Sequence, residues 1–184
     1  MPGHLSKVVR SRMKGAFFLI QLSLWPVLVV MIAGGAGLRL NLTSSVPIGL
    51  YRITEDPKAE LVEFCPPEPF GSLSVVRGYR AASETCPDHG QPLLKPIVAR
   101  EGDIVESGAA GISVNGKVLP NTVAQPRDSA GRPMESRSFG KFGVAPGTVW
   151  VVSSYNVRSF DSRYFGPVTL TNIKHHLRAV WTAP

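Results

Sequence analysis

The sequence predicts a mainly β protein carried behind a single N-terminal membrane helix. Three observations carry that reading. An apolar run lies near the N-terminus, short β-branched runs between turn signals follow it, and 18 Gly and 16 Pro stand beside 8 Phe, 4 Tyr and 3 Trp. A length of 184 residues accommodates one globular domain and one span. With 43% hydrophobic and 18% charged residues, the composition excludes a chain disordered throughout.

The net charge of +7 invites a nucleic-acid partner until the charges are located. Lys7, Arg10, Arg12 and Lys14 precede the apolar run, and from Arg39 onward 16 basic residues face 13 acidic ones. That balance is an ordinary surface, so no nucleic-acid partner is expected. Residues 15–38 hold 24 consecutive positions without an ionisable side chain, about 36 Å as a helix, which is enough to cross a bilayer. Pro26 is tolerated in such a helix, and the basic flank keeps its own end cytoplasmic. The expected organisation is therefore a cytoplasmic segment 1–14, a transmembrane helix 15–38 contacting lipid, and an exported domain 39–184. In a bacterium this places the domain in the periplasm, anchored in the inner membrane. A cleavable signal peptide ending in the small residues Ala33 to Ala36 is the alternative, although the run exceeds an ordinary signal-peptide core.

Cys65 and Cys86 both fall in the exported part, where an oxidising compartment permits a disulfide. Closing the loop between them would contribute roughly 3 kcal/mol. A cysteine nucleophile is the sharper reading, but the nearby histidine, His89, sits in a Pro/Gly-rich loop.

Strands are expected at Leu73–Arg77, Pro96–Ala99, Asp103–Ser107, Ile112–Val114, Lys117–Leu119, Thr148–Ser153 and His176–Trp181. Asn115-Gly116 supplies two residues that tolerate positive φ, as a two-residue hairpin turn requires. Residues 120–147, rich in Pro, Gly, Ser and Arg, read as a long excursion. No phosphate-binding glycine motif occurs, and His4, His89 and the His175-His176 pair are too scattered for a metal site, so neither cofactor nor metal is expected.

Three segments hold candidate chemistry. The first, Asn41-Leu-Thr-Ser-Ser-Val-Pro-Ile-Gly-Leu-Tyr51, places serines just beyond the apolar run, where one could attack a membrane-bound substrate; it also reads as a turn, and Asn41-Leu-Thr43 matches a glycosylation acceptor. The second, Leu93-Leu-Lys-Pro-Ile-Val-Ala-Arg-Glu-Gly-Asp103, sets Lys95 among apolar residues. Either desolvation makes this lysine a general base near neutral pH, or its stem covers the core while its ammonium reaches water. The third, Ser159-Phe-Asp-Ser-Arg-Tyr-Phe-Gly-Pro167, is dense in polar and aromatic groups.

Taken in order, these segments and the Val-Asn-Gly hairpin resemble the type I signal peptidase family of Ser/Lys endopeptidases. The spacing N-x-T-x-S-x-P-x-G-L-Y, the Arg77-Gly-Tyr79 stretch and the Ser159 segment are most similar to its conjugative-transfer branch, the TraF-type pilin maturation peptidases. The resemblance implies a signal-peptidase-like domain of coiled antiparallel β-sheets and a serine protease without cofactor. It implies Ser45 as nucleophile, Lys95 as general base, an oxyanion hole from the Thr43 hydroxyl and the Ser45 N–H, and support from Ser159, Asp161 and Arg163. General signal peptidases space the nucleophile so that Ser44 would be chosen, whereas the TraF-like spacing chooses Ser45. Alternation along an extended segment puts Thr43 and Ser45 on one side and so agrees with Ser45. The implied substrate is a membrane-bound propilin, cut to a linear or cyclic product beside other proteins of a conjugation or type IV secretion apparatus. A general leader peptidase and a non-catalytic envelope scaffold are the alternatives.

Overall fold

In the computed structural model, which describes residues 34–136 and 139–183, the chain is built mainly of antiparallel strands. They are β1 (Leu38–Asn41), β2 (Gly49–Thr54), β3 (Leu61–Phe64), β4 (Leu93–Ala99), β5 (Ile104–Gly108), β6 (Gly111–Val114), β7 (Lys117–Val118), β8 (Gly140–Gly143), β9 (Thr148–Val151), β10 (Val168–Thr169) and β11 (Ile173–Thr182). One sheet has the order β1-β2-β11-β3-β4-β9-β10 and the other the order β7-β6-β5-β8. Residues 40–184 make up one compact unit.

The expected membrane helix lies outside the described residues except for its last five positions. Among the described residues no helix is long and apolar enough to cross a membrane. Gly34 and Gly35 are helical, Gly37 turns the chain with φ 73, and Leu38 already belongs to β1. Leu38, expected as the last residue of the membrane helix, is instead the first residue of β1, after the turn at Gly37.

β9 shows how the core is divided. Side chains alternate along it and into the residue that follows, so Val149 and Val151 enter a cluster with Val62, Phe64, Ile97, Phe160 and Phe165, while Trp150 and the next residue after the strand, Val152, enter another with Ala99, Val105, Ile112 and Val144. A register shift between Ile97 and Ala99 on β4 lets one strand supply both clusters. A third cluster joins Val46, Tyr51 and Leu177 beneath the Asn41–Tyr51 segment. At the β6–β7 turn Asn115 and Gly116 have φ 49 and 81, the left-handed conformation that this hairpin demands.

Two sequence expectations are corrected here. Residues Leu73–Arg77 are not a strand: Phe70–Val76 form a helix. Burial of Phe70 and Ser74 on one face and acceptance by the Glu68 carboxylate of hydrogen bonds from the Ser72 N–H and hydroxyl outweigh the β propensity of Val75 and Val76. Val76, 84% exposed, lies off the packed face. The excursion 120–147 contains β8, which pairs Phe142 with Val105. Ahead of β8 the excursion is pinned by Asp128, which accepts from Tyr79 Oη and Arg132 Nε, each at 2.6 Å.

A disulfide joins Cys65, just after β3, to Cys86. Within the enclosed loop the buried Arg80 guanidinium donates to Asp88 Oδ2 (2.5 Å), Gly71 O (2.8 Å) and Gln91 O (2.8 Å). The loop is thus organised by charge as well as by sulfur.

Candidate active site

β4 delivers Lys95 to the inside of the sheet. The burial pattern of this strand puts Lys95, Ile97 and Ala99 inward, and Lys95 lies opposite Val62 of β3. Only 3% of Lys95 is exposed. Loss of water around its ammonium pulls its pKa from 10.5 down to about 8; the Asp161 carboxylate acts in the opposite direction and Arg163 lowers it further. Of the two arrangements open to this lysine in the sequence, the structure has the buried one.

On the other side of Lys95, β9 runs antiparallel to β4 with Val151 opposite Ile97, and the Val152 N–H bonds Pro96 O at 3.0 Å. Beyond β9 the chain runs on into Ser153, which is fully buried. Ser153 Oγ in turn donates to Ser45 O at 2.5 Å, so the segment that follows β9 holds the candidate nucleophile's peptide. Ser45 is half-buried between exposed Ser44 and buried Val46. Its hydroxyl and its N–H have no hydrogen-bond partner among the described residues. Ser44 Oγ accepts from Asn156 Nδ2 at 2.6 Å.

The alternating spacing of the Asn41–Tyr51 segment has a physical basis. Buried Asn41 donates from Nδ2 to Thr43 O (2.8 Å), Val46 O (3.2 Å) and Pro47 O (3.2 Å), and its Oδ1 accepts from the Thr43 N–H (3.2 Å) and hydroxyl (2.7 Å). Tyr51 Oη donates to Pro47 O at 2.5 Å from the third core cluster. Gly49 must lack a side chain, because a Cβ there would stand 2.2 Å from Trp181 O. The Thr43 hydroxyl, which the resemblance gives to an oxyanion hole, is exposed and turned to Asn41.

The third segment forms the floor. Asp161 begins a buried helical turn, Ser162–Phe165, and accepts from Arg163 N–H at 3.2 Å. Its carboxylate is gripped by Arg163 Nε (2.8 Å) and Nη2 (3.0 Å) and accepts from Ser153 N–H (3.0 Å). The guanidinium spends its other donors on Asn121 O (2.9 Å), Val157 O (3.0 Å) and Ser153 O (2.6 Å). Asp161 and Arg163 are therefore a fully buried pair, not a solvated turn. Ser159 is buried as well, and its Oγ has no hydrogen-bond partner among the described residues. Sequence reasoning assigned no role to Asn41, Tyr51, Ser153 or Asn156; the alternating spacing of the first motif was the available signal for Asn41 and Tyr51. Among the described residues no three His, Cys, Asp or Glu side chains converge as a metal site would require.

The site thus combines a buried lysine on β4 with a half-buried serine whose carbonyl is held from the segment that follows β9. The family model "Signal peptidase, peptidase S26" matches residues 13–182, and the chain belongs to that family. Its relatives include plasmid transfer protein TraF of Escherichia coli, 35% identical over 84% of this chain and 89% of the relative. They also include a probable conjugal transfer protein TraF of Sinorhizobium fredii, 38% identical over 74% of this chain and 73% of the relative. Conjugal transfer protein TraF of Agrobacterium fabrum is 34% identical over 79% of this chain and 83% of its own. A crystal structure of signal peptidase I from Enterococcus faecalis aligns with 18% identity and a TM-score of 0.37, covering 67% of this chain and 97% of that one.

Proposed function

We propose that this peptidase is a membrane-anchored serine endopeptidase that uses a Ser45/Lys95 dyad to mature the pilin subunit of a conjugative transfer or type IV secretion system. The observation that carries the reading is Lys95, buried and with its pKa drawn down to about 8, on the strand paired with β9, whose continuation at Ser153 holds Ser45 O. At pH 7 such a lysine is neutral in roughly one molecule in ten, against fewer than about one in a thousand for an ordinary lysine.

In this mechanism neutral Lys95 Nζ takes the Ser45 hydroxyl proton and Oγ attacks the scissile carbonyl. The developing oxyanion meets the Ser45 N–H and the Thr43 hydroxyl, which swings away from Asn41 Oδ1. Collapse of the tetrahedral intermediate passes the proton from Lys95 to the leaving amine and leaves an acyl-enzyme. Water then gives a linear product, or the pilin's own N-terminal amine gives a cyclic one. Ser159, whose buried Oγ has no partner among the described residues, turns to Lys95 Nζ in the working enzyme, and the Asp161–Arg163 pair holds the floor beneath it. Residues 15–38 anchor the enzyme in the bacterial inner membrane, with residues 1–14 cytoplasmic and residues 39–184 periplasmic, so the site meets a membrane-bound propilin.

The conjugal-transfer names of the relatives favour a pilin over the many substrates of a general leader peptidase. The test is intact-mass spectrometry of the candidate pilin from cells carrying the wild-type chain or Ser45→Ala. Mature pilin is expected only with the wild type, and mature pilin in both would overturn the proposal.

A further inference from the structure

The geometry points to Ser153 as a positioning residue that fixes the Ser45 peptide and transmits to it the rigidity of the buried Asp161–Arg163 pair. This rests on Ser45 being the nucleophile. Ser153 is 0% exposed, so each of its polar groups must find a protein partner, and each does. Its N–H bonds Asp161 Oδ2 (3.0 Å) and its carbonyl accepts from Arg163 Nη2 (2.6 Å). Its hydroxyl accepts from Tyr155 N–H (3.2 Å) and donates to Ser45 O (2.5 Å).

The main chain of Ser153 is thus clamped by an ion pair and its side chain passes that constraint to Ser45. Holding the Ser45 carbonyl fixes rotation about its Cα–C bond. From the other side Asn156, in the same turn, holds Ser44 Oγ. Ser45 is therefore held at its own carbonyl, and its neighbour Ser44 at the side chain, by two residues of the segment that follows β9. Attack at a carbonyl depends steeply on such alignment, so the hydroxyl of Ser153 acts on turnover without touching substrate.

The test uses the full chain in detergent micelles with a fluorogenic peptide bearing alanine on both sides of the scissile bond. Ser153→Ala is expected to lower kcat about tenfold, as loss of one buried hydrogen bond would, with KM within about twofold and the pH midpoint of the rate unchanged. Ser153→Thr restores most of the rate. Ser153→Cys, close in volume but a weak donor, falls with alanine and serves if the alanine variant does not fold. Hydrogen exchange across residues 41–47 is a readout independent of chemistry and should accelerate in Ser153→Ala. Wild-type kcat in Ser153→Ala, unchanged exchange, or a threonine variant that fails with a matching loss of melting temperature would overturn the assignment. Cleavage by Ser45→Ala would instead bring down the Ser45 reading on which it rests.

Discussion

Asp161 Oδ1 and Arg163 Nε lie 2.8 Å apart with both side chains fully excluded from water. Removing one partner strands a buried charge, at a cost of roughly 3 to 5 kcal/mol. Asp161→Ala and Arg163→Ala should each lower melting temperature and turnover, and the double variant should be more stable than the two single losses imply. Thermal melts of the four proteins measure this; additive losses would count against the pair.

Ser44 and Ser45 separate cleanly in this structure, since Asn156 occupies the hydroxyl of the first. Ser45→Ala should abolish cleavage, whereas Ser44→Ala should retain most of it, within about tenfold. Rates for the two variants on one substrate decide the question, and the reverse order would move the nucleophile to Ser44.

If Lys95 is the base of the proposed mechanism, its lowered pKa ties activity to pH. The rate should rise through about pH 8 as the lysine loses its proton. Lys95→Arg should be as inactive as Lys95→Ala, because a guanidinium keeps its proton. Stability follows from the same shift: between about 8 and 10.5 the unfolded chain binds more protons than the folded one, so stability increases with pH across that window. Below it the burial cost is fully present. Lys95→Met should therefore stabilise the fold at pH 7 by roughly 1 to 3 kcal/mol, with the gain disappearing above the ordinary lysine pKa. Denaturant titrations at several pH values test the sign.

The Cys65–Cys86 bridge closes a loop that contains the helix Phe70–Val76 and contributes no group to the proposed chemistry. Reduction, or the double Cys→Ser variant, should cost roughly 3 kcal/mol of stability and leave kcat at 25 °C nearly unchanged. Thiol titration of the unreduced, denatured protein should find no free thiol.

The β character, the Asn115-Gly116 hairpin and most of the strands from β4 onward were legible because alternation and turn chemistry are local properties. β2 and β3 were not, since Gly49–Thr54 and Leu61–Phe64 are stabilised through β11, which arrives far later in the chain. The helix at Phe70–Val76 was misread for a similar reason: Val75 and Val76 speak for a strand, and the deciding contacts come from Glu68 and the core. The sequence left Lys95 between two environments, because its burial depends on Val62 and on an Asp161–Arg163 pair that folding alone brings near. Ser153 looked like the end of a strand, and nothing local distinguishes a serine that caps a strand from one that reaches another segment.

The hydrogen bond from Ser153 to Ser45 joins residues 108 positions apart, and β11 pairs with β2 across a comparable separation. Contacts of such high order form only after the entropy of closing the intervening loop has been overcome. A nascent chain that has not yet delivered Ile173–Thr182 carries Ser45 and Lys95 before β2 and β3 have the strand they both pair with. The fold around the candidate site is thus completed only when the last strand of the chain has been made, and the order of the elements sets the site among the last features to form.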